Sequence, residues 1–169
     1  MRELIMEPIY KRTLSIGYFD DEDTVLPILR GTVFHVTSAE NYKNILETGA
    51  ILPNTKNERP YNTASDNSCF NELGCVCLID LRICSYEQLE SGLCMYSFLN
   101  PSHTNNNPIF LILKDEACHS LIPWHECNSR PMKGKNQVVP YIEAGHEGPI
   151  ALKAIDYALD VTITPIESS

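Results

Sequence analysis

The sequence predicts an α+β fold: a mainly antiparallel sheet with a few helices. Three observations carry that expectation. Short apolar runs rich in β-branched and aromatic residues outnumber helical patterns. The helical patterns do not alternate regularly with those runs, as a doubly wound parallel sheet requires. The chain has 169 residues, 43% of them hydrophobic and 21% charged, the size and composition of one globular domain. A chain of this size buries roughly two thirds of its unfolded surface, so it needs neither a metal nor a disulfide staple in principle. We therefore expect a single domain over residues 1–169, with 1–29 as an N-terminal extension.

The strands come first. Thr32 to Val36, Cys75 to Leu81, Ile109 to Leu113, Val138 to Ile142 and Leu159 to Thr164 are apolar runs of strand length. One helix is well marked. Ser38 is a suitable N-cap, Glu40 sits where the helix dipole favours an anion, and Gly49 can end the helix left-handed. Tyr42, Ile45 and Leu46 share one face of it. A second helix is predicted from Ser85, with Gln88 completing a capping box. A third is predicted from Asp115 to Leu121, before Pro123. The polar segments Pro53 to Asn71, Asn100 to Pro108 and Glu126 to Asn136 read as loops, the first long enough for a binding loop or lid. The acidic run Asp20 to Asp23 reads as an exposed turn.

A net charge of -9 argues against holding nucleic acid by general phosphate neutralisation. Arg130, Lys133 and Lys135 form a local basic group, read here as a solvated loop. No apolar run approaches the ~20 residues of a membrane span. Glu3 and Glu7 stand where an export signal would be apolar. The expected location is cytoplasmic, with no membrane partner. The odd number of cysteines, 7, suits a reduced protein. Cys75 and Cys77, flanking Val76, would then act as small hydrophobes.

The most informative stretch runs from Phe34 to Pro53. His35 and Thr37 stand two apart on a predicted strand and so project from one face, just before a helix N-terminus. An imidazole and a hydroxyl in that position suit a ligand with ribose hydroxyls and a pyrophosphate. A histidine beside a helix cap, with no ligand, has the same spacing.

His-x-Thr on a strand, then Asn41-x-x-x-Ile45-Leu46-x-x-Gly49, then Ile51-Leu52-Pro53, resembles the opening motif of the ADP-ribosyltransferase superfamily. The likeness is to the bacterial mono-ADP-ribosyltransferases of toxin and phage-defence systems, including DNA-targeting toxins. The tRNA 2′-phosphotransferases share their general fold. The resemblance implies a split antiparallel β-core and NAD as substrate, with no metal. His35 would bind the adenosine ribose, Val36 would meet the nicotinamide amide through its backbone, and Thr37 would support the same pocket. It also implies a late glutamate that hydrogen-bonds the nicotinamide ribose and stabilises the oxocarbenium-like transition state. Glu143 follows a predicted strand and precedes Ile150-x-Leu152-x-x-Ile155, similar to the family's closing segment. Glu147, in the turn, is the second candidate. Tyr61 would frame nicotinamide, and Arg30 or Arg59 would meet a phosphate. The likeness runs from His35 to Leu52 and again from Glu143 onward, while the family's middle Ser-Thr-Ser motif has no clear counterpart. No clear Glu-x-Glu or Gln-x-Glu pair ends at Glu143 or Glu147, and Gln88-Leu89-Glu90 falls in the predicted second helix, so arginine is not the expected acceptor. The implied acceptor is a protein or a nucleic acid, and an antitoxin or complex partner fits such an effector.

Three other classes have weaker patterns. Cys118-His119 and His125-Glu126-Cys127, with Cys69, Cys75 and Cys77, supply zinc-type ligands, but not at the usual knuckle spacing. A nucleophilic thiol at Cys94 or Cys118 would need His103 or His119 beside it. A non-catalytic module on the same scaffold would sequester a nucleotide or a protein partner. No Walker loop, G-x-G-x-x-G or G-x-S-x-G occurs, which weakens the triphosphatase, Rossmann and serine-hydrolase classes.

Overall fold

Buried β-branched residues set the architecture. In the computed structural model, which describes residues 9–17, 21–54, 68–96, 107–129 and 138–164, the chain forms a mixed α+β fold. The strands are β1 (Lys11–Gly17), β2 (Val33–Ser38), β3 (Ala50–Ile51), β4 (Cys75–Asp80), β5 (Pro108–Leu113), β6 (Ile122–Pro123), β7 (Glu143–Glu147), β8 (Ile150–Ala151) and β9 (Ile155–Thr164). The helices are α1 (Asp21–Leu29), α2 (Ala39–Thr48), α3 (Cys69–Glu72), α4 (Tyr86–Met95) and α5 (Trp124–Asn128). Seven strands form one sheet in the order β1-β9-β5-β2-β4-β7-β6, and β3 pairs with β8 in a small ribbon. Among the described strands every ladder is antiparallel except β1 with β9, and an isolated parallel bridge joins Cys75 to Gly148.

The sheet separates two apolar clusters. Phe34, Val36, Ile79, Phe110 and Leu159 join Val25 and Leu29 of α1 and Leu89 of α4 in one. Val33, Leu78, Leu111 and Ala158 join Tyr42 and Ile45 of α2 and Ile51 of β3 in the other. The central strand β5 is buried at every position, which is why its sequence is a continuous apolar run rather than an alternation.

Local helix chemistry follows the sequence closely. The Ser38 side chain accepts from the Asn41 N–H at 3.2 Å. Gly49 adopts φ 74°, and its N–H donates to the Ile45 carbonyl at 3.0 Å, a left-handed stop. Ser85 and Gln88 form the full capping box, at 3.2 and 2.9 Å.

Several expectations are corrected. The segment 138–142 is a turn, not a strand, and β7 starts at Glu143. Tyr141 holds φ 69°, which no strand permits. The predicted third helix is a single 3₁₀ turn, Asp115–Cys118. Residues 21–23 open α1 instead of forming a turn, and acidic groups favour a helix start. Residues 1–29, expected as an extension, include β1, which pairs with β9 over its whole length. Of the long polar segments, 55–67, 100–106 and 130–136 lie outside the described residues, Arg130, Lys133 and Lys135 among them. The described ends of two of them are helical, as α3 and α5.

The expectation of reduced thiols throughout is also corrected. Cys69 of α3 and Cys127 of α5 form a disulfide, with Cα atoms 6.4 Å apart. Cys75, Cys77, Cys84, Cys94 and Cys118 are outside any disulfide.

Candidate functional site

The site lies where β2 and β4 part. Their ladder has only two register pairs, Val33↔Asp80 and Phe34↔Ile79. Beyond Phe34, β2 stays paired to β5 as far as Ser38, while β4 stays paired to β7. A cleft of about 210 Å³ opens there. His35, Val36, Thr37, Ser68, Cys77 and Glu143 are among its lining residues.

His35 bridges the opening. Its Nδ1 lies 2.9 Å from the Cys77 carbonyl oxygen. A carbonyl only accepts, so Nδ1 carries the proton and Nε2 is left as a bare acceptor. Burial pushes the imidazole below its ordinary pKa and outweighs the Cys77 bond, which raises it. The ring is thus neutral near pH 7. Thr37 is buried two residues on, and Val36 buries its side chain in the Phe34 cluster while its strand borders the cleft.

Glu143 enters from the other side of β4. It stands on β7, the strand that pairs with β4 on the side away from β2, and lines the same cleft as His35. The carboxylate is buried, yet each oxygen has a donor. Ser68 Oγ donates to Oε1 at 2.6 Å, and the Val139 N–H donates to Oε2 at 2.6 Å. The Glu143 N–H returns to the Val139 carbonyl at 3.2 Å, closing the turn on itself. Burial raises the carboxyl's pKa, and the two donors oppose that rise without cancelling it. Each oxygen keeps a lone pair for a ligand hydroxyl.

Ser68 is set by α3. Its Oγ accepts from the Phe70 N–H at 3.2 Å while donating to Glu143. The Cys77 thiol lies 3.3 Å from both Ser68 Oγ and Asn71 Oδ1. Burial and the nearby Glu143 push that thiol up to about 12, so it is an inert hydrogen-bonding group, not a nucleophile.

The other candidates fall elsewhere. Glu147 is at the exposed end of β7 and does not line the cleft. Arg30 precedes β2, at the opposite end of that strand from Thr37. Its Nη2 donates to the Cys84 carbonyl at 3.1 Å, and its guanidinium sits 4.2 Å over the Tyr86 ring, so it meets no cleft ligand here. Tyr61, Arg59 and His103 lie outside the described residues. Cys118 is buried with its thiol on the Lys114 carbonyl at 3.3 Å, and burial raises its pKa. Cys127 is committed to the disulfide, and among the described residues no group of three or more candidate ligands is placed to hold a metal.

Sequence reasoning missed Ser68, Asn71 and the Val139 N–H. Ser68 carries a signal in retrospect, as an N-cap residue ahead of a short helix. The Val139 amide carries none, because a backbone donor has no residue type.

No family model, curated protein or solved structure matches this chain.

Proposed function

We propose that this cleft binds NAD and that the protein transfers ADP-ribose to a macromolecular acceptor, releasing nicotinamide. One observation carries the reading: a neutral histidine acceptor, a buried threonine and a buried, doubly held glutamate line a single cleft at the parting of two strands. The cleft volume of about 210 Å³ is below the ~300–1,000 Å³ usual for small-molecule sites. It therefore encloses only part of a dinucleotide, the stretch between its two riboses, and leaves the remainder at the rim.

In the proposed reaction the bond between ribose C1′ and nicotinamide breaks. The electron pair leaves with nicotinamide and neutralises its ring charge. A nucleophilic atom of the acceptor then bonds to C1′ and loses its proton to solvent. Glu143 accepts from the ribose 2′-hydroxyl and stabilises the positive charge at C1′. His35 Nε2 accepts from the other ribose. Ser68 and the Val139 amide keep the carboxylate oriented. The net charge of -9 favours a protein acceptor over a nucleic acid.

A second reading is a non-catalytic module that captures a partner in the same cleft. The described cleft lining contains no lysine or arginine to neutralise a pyrophosphate, which favours a neutral segment of a protein partner for that reading.

The test is nicotinamide release from NAD by the wild type and Glu143→Gln, with and without cell lysate. Release should fall about 10²–10³-fold in the variant, the scale of losing one electrostatic stabiliser. Labelled NAD then identifies the acceptor. Absence of release, with no NAD binding by calorimetry, would sink the transferase reading.

A further inference from the structure

The two donors that hold Glu143 converge on one short helix. Ser68 immediately precedes Cys69, and Cys69 is bonded to Cys127 of α5. The Val139 amide belongs to the turn that contains Tyr141, and the Tyr141 ring packs on Trp124 of the same α5, with centroids 5.1 Å apart. Both arms of the carboxylate's support are thus tethered to α5.

The same corner holds a small buried cluster of Cys69, Phe70, Cys75, Cys127 and Val138, with Ile122 and Trp124 packed against it, but its helices are short. α3 has four residues and α5 has five, far below the length at which helices persist alone. β6, which leads into α5, meets β7 through two register pairs, Ile122↔Gly145 and Pro123↔Ala144. Phe70 of α3 rests on Gly145. The disulfide is the one covalent tie between the Ser68 arm and the α5 arm, and it spans 58 residues of sequence.

We propose that the Cys69–Cys127 disulfide is a redox latch on the Glu143 carboxylate, with the oxidised chain competent at the cleft and the dithiol chain relaxed there. The proposal assigns regulation to the site read above as an NAD site, and so rests on that reading for its biological sense. Its physical content, a coupling between disulfide and carboxylate, stands without NAD. The redox partner is a dithiol. Its thiolate attacks one cysteine sulfur to give a mixed disulfide, and its second thiol then displaces that cysteine. Two electrons and two protons pass to the protein, which gains two thiols while the reductant becomes a disulfide. Cys69 and Cys127 are 3% and 0% exposed, so the attack requires α5 to open first.

The experiment uses the full chain with ¹³C-labelled glutamate. The titration of the Glu143 carboxyl is followed by NMR in the oxidised chain, after dithiothreitol, in Cys69→Ala/Cys127→Ala, and in Ser68→Ala. Besides Glu143 the titratable groups of the described cleft lining are His35, Cys77 and Tyr96, and His35 and Cys77 are neutral near pH 7 in the folded chain. Reduction and the double variant should each move the titration upward, toward that of Ser68→Ala, because a donor to the charged form is lost. An unchanged titration on reduction, with a shift in Ser68→Ala, would overturn the latch. Global unfolding on reduction would also overturn it, since the bond would then staple the whole fold. Trp124→Leu, which leaves the disulfide in place, tests the second arm and should likewise raise the titration. Nicotinamide release is read in parallel and should drop about tenfold or more on reduction, the scale of one lost charge-assisted hydrogen bond. If no release occurs in either state while the carboxyl still responds to reduction, the NAD reading fails and the latch survives.

Discussion

Gly145→Ala is the sharpest test of how this site is packed. Gly145 lies on β7, two residues after Glu143, and faces Phe70 of α3. A Cβ there would stand 2.2 Å from Phe70 Cδ1 and 2.7 Å from Cε1, well inside any tolerated contact. Phe70 is fully buried. Overpacking of this kind costs about 1–3 kcal/mol, and a rigid ring against a strand backbone belongs at the upper end. Alanine returns about 0.5–1 kcal/mol, because glycine loses more chain entropy in a strand. The net expectation is a loss of about 1–2 kcal/mol, or roughly 2–8 °C in Tm for a chain of this size. Urea denaturation of Gly145→Ala, Phe70→Leu and the double variant measures it. The double variant should be more stable than the sum of the singles, because leucine leaves room for the methyl group. A neutral or stabilising Gly145→Ala would refute the packing of α3 on β7, and with it the account of how Ser68 reaches Glu143.

The two buried titrating groups predict opposite slopes of stability with pH. Glu143's pKa is raised, so its contribution is full below the ordinary carboxylate range and is lost as pH rises through its folded value; Glu143→Gln should flatten the stability profile on that limb. Transferase activity, which needs the carboxylate, should rise over the same interval. His35's pKa is lowered, so its contribution is full above the ordinary value of 6.5 and is lost as pH falls through the folded value; denaturation of His35→Leu at about pH 5 and about pH 7.5 should show a smaller difference than the wild type. Cys69→Ala/Cys127→Ala should lose about 4 kcal/mol, from the closure entropy of a 58-residue separation, and remain folded at 25 °C by circular dichroism.

What the sequence disclosed was local chemistry. The Ser38 and Ser85 caps and the Gly49 stop depend on side chains and dihedrals within a few residues, so their patterns are self-contained. β2 and β5 announced themselves by β-branched and apolar density. Glu143 emerged as the candidate carboxylate, but on the wrong local structure. Val138 to Ile142 is apolar enough for a strand, yet the demand for a turn at Tyr141 overrode that propensity. β7 itself, Glu-Ala-Gly-His-Glu, has no strand signature, since its neighbours β4 and β6 impose its pairing. Ser68, in a polar stretch, became legible only beside Glu143, 75 residues away. The Cys69–Cys127 pairing was likewise closed to inspection, because spacing does not determine connectivity. Arg30 had the right charge near the right strand, but at the end where Cys84 and Tyr86 engage it.

The parallel pairing of β1 with β9 has a consequence for how the molecule is made. Lys11 must meet Ala158, and Gly17 must meet Thr164, so this edge of the sheet joins segments from opposite ends of the described chain. During synthesis, β1 emerges early and has no partner until the last strand has left the ribosome. β9 can dock on β5 before β1 arrives, and for that interval its outer edge is bare. Contacts of such long range form slowly. An exposed edge carrying Val161 and Ile163 is a template for another chain in the same half-finished state. Removal of β1 would therefore expose that edge permanently and turn a folding hazard into an aggregating protein.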